Sequence, residues 1–203
     1  MTDVETHVLR PPKQERSRAA WGRALDAGLA LLQSGGLDAV TVTEVCRVGE
    51  ISPPSLYARV DGRAGLIAAI YEHGMASVVE LEHQLLDPLE HSAAEGEGGI
   101  GKLVTAMTEV FKQQRALLRP IIASSAHDER IHTRGVEEAL RVQDTMVRML
   151  KLPDGVGNDI AAMIFAELVV RTVYGNEFTS RMPESDEQFI RRLTRVAVAR
   201  TRR

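Results

Sequence analysis

Only one cysteine, Cys46, occurs in the 203 residues, which excludes an intramolecular disulfide and a thiolate metal cluster. No apolar run reaches membrane-spanning length. The longest, "IAAMIFAELVVRTVYG", is interrupted by Glu167 and Arg171 and is too short. The opening "MTDVETHVLRPP" lacks the apolar core of a secretory signal, so a cytoplasmic protein with no membrane partner is expected. Net positive charge is also missing: the balance is −3. Residues 1–63 carry eight Lys/Arg against eight Asp/Glu, leaving 17 against 20 in the remainder. Total charge therefore does not mark a nucleic-acid binder. No alternating stretch is long enough for a sheet, and there is no internal repeat. No nucleophile–base set, phosphate-cradling glycine loop or zinc spacing appears either.

Two Glu-x-x-His patterns, Glu80/His83 and Glu129/His132, invite comparison with the di-iron sites of helical bundles, whose ligands must point inward. Glu80 and His83 fall on the polar side of their helix. An irregular, proline-led stretch precedes Glu129. No enzyme, cofactor or metal is expected.

What the chain does have is helical periodicity almost throughout, which predicts an all-α fold. Over 16–33, Trp21, Ala24, Leu25, Gly28, Leu31 and Leu32 form an amphipathic stripe, and Gly35-Gly36 stops it. Thr41 caps a short second helix, with Glu44 three residues on as the other half of a capping box, and Gly49 ends it. In "ISPPSLYARV", Ser52 caps a third helix that begins on two prolines. Both lie in the first turn, whose N–H groups have no intrahelical partner, so they start the helix rather than break it. Gly62 ends it. A long helix follows to about Leu89, with Leu66, Ile67, Ile70, Gly74, Val78, Leu81 and Leu85 on one face. After the glycine-rich linker 90–99, helices are predicted over 100–119, 131–151, 157–176 and 185–201, with an irregular piece near 120–130.

Two short helices joined by a tight turn and braced by a longer one make a helix-turn-helix, which projects side chains into a major groove about 12 Å wide. Val42, Val45, Cys46, Leu56 and Val60 would form its small core. Arg10, Lys13, Arg16, Arg18 and Arg23, opposed only by Glu15, form a local basic arm that could find phosphates. The domains expected are a flexible basic arm (1–15), a helix-turn-helix domain (16–62) and a second helical domain (63–203), to which the resemblance described next assigns ligand binding and dimerisation.

The stretch "ALDAGLALLQSGGLDAVTVTEVCRVGEISPPSLYARVDGRAGLIAAI" resembles the DNA-binding region of tetracycline-repressor (TetR) family transcriptional regulators. The resemblance covers roughly residues 18–70. It implies that Thr41 and Thr43 contact phosphate and that Ser52, Pro53, Pro54 and Ser55 face the bases. It implies a phosphate bond from the Tyr57 hydroxyl. Arg59 stands where a histidine is usual and Arg63 where a lysine usually opens the fourth helix, both consistent with a phosphate clamp. Two residues depart from the pattern: Glu50 occupies a turn position where glycine is common, and Val60 replaces a phenylalanine. The proline rings cannot hydrogen-bond base edges but can pack on thymine methyl groups.

The predicted helix 157–176 is apolar nearly all round, so one face needs a partner beyond its own domain. With the helix at 185–201, it fits the resembling family's homodimer interface. Two recognition helices about 34–36 Å apart then read a palindromic double-stranded operator. The resemblance also implies a small-molecule effector inside the C-terminal domain, for which Met107, Phe111, Met146, Met149 and Phe165 are candidate lining residues, a polarisable set. The run Arg191, Arg192, Arg195, Arg200, Arg202 and Arg203 reads as a solvated face. The function expected is a repressor released from its operator by a ligand. The alternative is a helical interaction or ligand-binding protein that has lost DNA binding.

Overall fold

Trp21, Leu25, Gly28 and Leu32 recur at helical spacing, and the helix they define, α1 (Glu15–Ala39), buries all four. The computed structural model that shows this describes residues 15–90, 96–178 and 182–202; the basic residues Arg10 and Lys13 and the middle of the 90–99 linker lie outside them. Gly36 takes φ 69° and kinks α1, so the glycine stop expected there becomes a bend followed by a last turn to Ala39. Then come α2 (Val42–Val48), α3 (Pro53–Tyr57) and α4 (Gly62–Glu90), the last opened rather than preceded by Gly62, which has φ 63°. The chain divides into two compact units, Met1–Val79 and Glu80–Arg203, and the division falls inside α4.

The first unit closes around Leu25, Leu32, Val45, Leu56, Val60, Leu66 and Ile70, each at most 3 % exposed. Full burial of an aliphatic side chain stabilises by about 1.5–3 kcal/mol. Cys46 is buried beside them, and burial pushes its thiol above the ordinary value, away from reactivity. Val42, expected in this core, is half-buried. A Cβ on Gly28 would lie 2.2 Å from Ile70 Cδ1, so the bare glycine permits the close approach of α4 to α1.

In the second unit the helices are α5 (Gly96–Gln113), α6 (Arg115–Ser125), α7 (Glu129–Leu150), α8 (Asp154–Tyr174) and α9 (Asp186–Arg200). Among the described residues there are nine helices and no strand. α5 packs on α9 and α7 on α8, while α6 packs on both α7 and α8. The predicted 100–119 helix is in fact two, broken at Gln114, and the irregular piece expected near 120–130 is mostly α6. Pro120 sits inside α6. Interior proline costs roughly 3 kcal/mol, and burial of Leu117, Leu118 and Ile121 offsets it. On α4, the expected stripe holds for Leu66, Ile70 and Val78, but Leu86 and the carboxylate-bearing Glu82 are buried where Leu85 was expected. Glu82 Oε2 accepts a 2.8 Å hydrogen bond from Arg141 Nη2 of α7, and Arg141 Nε bonds Glu138 Oε2 at 2.7 Å. Glu80, His83, Glu129 and His132 are all exposed.

Candidate nucleic-acid interface

Thr41 has extended backbone, φ −116° and ψ 153°, and its Oγ1 accepts from the Glu44 amide at 3.2 Å. The reciprocal half of the expected capping box is not formed. Glu44 turns outward to Arg47 instead, with Oε2 2.7 Å from Nη2, and this bond holds its carboxyl below the ordinary value. Thr43, one turn position on, is exposed.

The turn between α2 and α3 depends on two neighbouring residues. A Cβ on Gly49 would come within 2.9 Å of Val45 O, 3.0 Å of Ala24 Cα and 3.1 Å of Arg23 O, all backbone atoms. Gly49 is therefore required by packing, since its own φ is −82°. Glu50 carries the left-handed φ of 50°, where a side chain costs about 1–2 kcal/mol. The glycine and the left-handed conformation thus stand one residue apart.

α3 begins as expected. Ser52 Oγ accepts from the Ser55 amide at 3.4 Å and lies 2.8 Å from Ser55 Oγ, with Pro53 and Pro54 at the first two helical positions. The backbone continues through Leu56 N–H to Ser52 O at 3.1 Å and Ala58 N–H to Pro54 O at 3.0 Å. Leu56 is fully buried and anchors the helix. Ser52, Pro53, Pro54, Ser55 and Tyr57 are exposed, Tyr57 at 53 %. A five-residue helix held by one leucine thus displays nearly all its other side chains.

The two arginines of the expected phosphate clamp are tied into the fold. Arg59 is half-buried, and its Nη2 donates to Ser17 Oγ on α1. Arg63 donates from Nε to Val40 O at 2.9 Å and from Nη2 to Leu37 O at 2.6 Å, holding the loop that delivers Thr41. Its Nη1 has no partner among the described residues. These carbonyls are 23 and 26 residues away, and no local sequence pattern pointed to them. Arg16, Arg18 and Arg23 of α1 are exposed.

Of the five candidate effector contacts, Met107 and Met146 are fully buried and Met149 and Phe165 half-buried. Phe111 meets Phe165 edge to face at 6.0 Å and lines a cavity of about 240 Å³. On α8, Ile160, Ile164, Leu168 and Thr172 face the interior, while Ala162, Ala166, Val169 and Val173 form an apolar strip on the other side, exposed or half-buried. No described helix is long and apolar enough to cross a membrane.

No protein-family model and no curated protein matches the chain. Solved structures do. A Clostridium perfringens protein described as a fatty acid metabolism regulator aligns with a TM-score of 0.65 at 16 % identity, over 87 % of this chain and 97 % of its own. A protein from a Rhodococcus species described as a TetR-family transcriptional regulator aligns at 0.62 and 15 % identity, over 93 % and 99 % of the two chains. The TetR family repressor AlkX from Dietzia sp. strain DQ12-45-1b gives 0.52 and 17 %, over 89 % and 96 %. The chain has the all-α fold of TetR-family regulators.

Proposed function

We propose that this chain is a DNA-binding transcriptional regulator, a repressor that leaves a palindromic operator when a small molecule binds its second unit. The observation that carries this reading is α3, whose Ser52–Ser55 start and Tyr57 are exposed while Leu56 alone secures it. Side chains that cap or display rather than pack, on an element narrow enough for a major groove, suit base reading. Pro53 and Pro54 present ring faces to thymine methyl groups, and Ser52 and Ser55 present hydroxyls. Thr41, Thr43, Tyr57 and the free nitrogen of Arg63 address phosphates, while Arg59 orients the end of α3 against α1. The Dietzia neighbour bears the name of a repressor, and the same sense of action is assigned to this chain.

Two copies are needed for a palindrome. The apolar strip Ala162, Ala166, Val169 and Val173 on α8, with α9 beside it, supports a homodimer formed through these last two helices. A ligand would act by preferring the pair of conformations in which the two α3 helices no longer match successive groove turns, a shift set by its differential affinity. No cofactor is invoked, and the site of action is cytoplasmic.

The test is selection of bound fragments from random DNA by the full chain. A palindrome with half-sites one helical turn apart, bound with a steep loss of affinity between about 50 and 200 mM salt, is the expected result. One observation favours the reading in which DNA binding has been lost: Arg59 and Arg63 both spend donors inside the fold. An unselective pool with a flat salt response would establish that reading instead.

A further inference from the structure

At the end of the second unit where α5, α6, α8 and α9 meet, three cations line one half-enclosed cavity of about 240 Å³: Lys112, Arg115 and Arg171. A single carboxylate, Asp186, lines it with them. Asp186 is committed on both oxygens, with Oδ1 2.8 Å from Arg171 Nη2 and Oδ2 3.0 Å from Lys112 Nζ. Those bonds, the Arg171 one foremost, hold its carboxyl below the ordinary value, so it remains charged. Among the lining side chains three positive charges face one negative, and the charge of Glu109 also acts on Lys112.

The guanidinium groups have donors to spare. Arg115 Nε donates to Thr172 O at 3.2 Å, which fixes the plane of the fork, and its two terminal nitrogens have no partner among the described residues. Arg171 is 16 % exposed, yet only its Nη2 is bonded, to Asp186 and to Glu184 O at 3.0 Å. Its Nε and Nη1 have no hydrogen-bond partner among the described residues. None of these open nitrogens is sealed from solvent, so an acceptor bound there would take the place of water, and its bond would be charge-assisted. The remainder of the wall sets the apolar Phe111 and Leu168 beside Thr108, Thr172, Gly175 and Asn176.

We propose that this cavity binds a small carboxylate with a compact apolar body. The acid group is taken by the open nitrogens of Arg115 and Arg171, and the body lies on Phe111 and Leu168. A planar guanidinium fork matches a carboxylate's two oxygens, which a lone ammonium does not. The volume corresponds to about eight waters at ~30 Å³ each, the scale of a single aromatic ring bearing an acid and well below a drug-sized ligand. Binding here would put a second carboxylate on Arg171 beside Asp186, whose bond to Arg171 is one of those that tie α9 to α8, Arg192 to Glu167 being another. The consequence for DNA rests on the regulator reading; the binding itself does not.

Benzoate is the probe, with benzamide as its neutral isostere and inorganic phosphate as an anion without an apolar body, titrated calorimetrically into the full chain. Saturable benzoate binding, at least tenfold tighter than either control, is expected. R115Q should weaken it at least tenfold, and R115K, which keeps charge but loses the fork, should fall between. Helix content from circular dichroism verifies that the variants fold. Absence of benzoate binding, equal binding of benzamide or phosphate, or a folded R115Q that binds like the parent overturns the assignment. Operator binding is measured separately: a chain that binds DNA but not benzoate refutes this site alone, and one that binds benzoate but no DNA refutes the regulator reading alone.

Discussion

Three glycines of the first unit sit in sharply different surroundings, and replacing each by alanine tests how the turn that aims α3 is held. A Cβ on Gly22 meets nothing within 4 Å, in the interior of α1. G22A should therefore stabilise by about 0.5–1 kcal/mol, the ordinary helix preference of alanine over glycine. On Gly49 the same Cβ would stand 2.9–3.1 Å from backbone atoms of α1 and α2, which no rotamer change can move. Overpacking of this kind costs about 1–3 kcal/mol, partly offset by the ~0.4–1 kcal/mol alanine gains through the unfolded chain, so G49A should lose about 1–2 kcal/mol net. G28A meets the tip of Ile70 at 2.2 Å, a side chain that can turn but is only 1 % exposed, so a loss of similar size is expected. E50G relieves the left-handed conformation, worth about 1–2 kcal/mol, against roughly 0.5–1 kcal/mol of glycine entropy, and should gain up to about 1 kcal/mol. The chain's only tryptophan, Trp21, is 6 % exposed in this unit, so its fluorescence through urea unfolding reads this unit directly. The predicted order is G22A and E50G above the parent, with G28A and G49A below it. A G49A chain as stable as the parent would refute the claim that the α2–α3 turn is wedged against α1.

Tyr57→Phe should weaken operator binding about tenfold or more, the scale of a hydrogen bond to a charged group, equally for all sequences. The salt slope should stay unchanged, because a hydroxyl displaces no counterion; fluorescence anisotropy across a salt series measures both, and a loss confined to one base position would contradict the phosphate role. Changing Pro53 and Pro54 together to alanine should relax a preference for thymine at one operator position by about 1–3 kcal/mol, read from repeated selection on random DNA. An unaltered preference at every position would mean that the rings only stiffen the helix start. Burial pushes the Glu82 carboxyl above its ordinary value despite Arg141, with Glu138 adding to the rise. Its contribution to stability is therefore complete below the unfolded carboxylate value, about 4.3, and is lost as pH rises through the folded one. In E82Q the stability of the second unit, followed by circular dichroism in urea, should decline less between those values, and an unchanged pH profile would show that Glu82 carries no such linkage.

Elements were legible in the sequence wherever a local pattern and a local cause coincide. Thr41 and Ser52 cap because a hydroxyl at the helix start reaches an amide three residues on, and that distance is visible in a string of letters. Two prolines at the start of α3 read correctly for the same reason, since the first-turn amides have nothing to lose. Pro120 misled because the same residue inside α6 is opposed by burial of Leu117, Leu118 and Ile121, a sum over tertiary neighbours that no window contains. Glu44 misled by having two partners within reach, the Thr41 amide and the Arg47 guanidinium, of which the charged one won.

The harder losses concern charge. A lysine or arginine on a polar helix face reads as solvated, and most are, but Arg59, Arg63, Arg141 and Arg171 each reach across to another element. At the interface this changes what the resemblance implied: Arg63 holds the loop that carries Thr41 before it can hold a phosphate. Within the second unit, only the fold brings Lys112, Arg115 and Arg171 to one cavity, from three helices whose sequences contain no shared pattern. Apolar periodicity can be read in a sequence because each helix must bury a stripe; the convergence of cations cannot, because nothing in one helix requires the presence of the others. α3, built from local rules, was therefore visible in the sequence, and the cavity lined by Lys112, Arg115 and Arg171 was not.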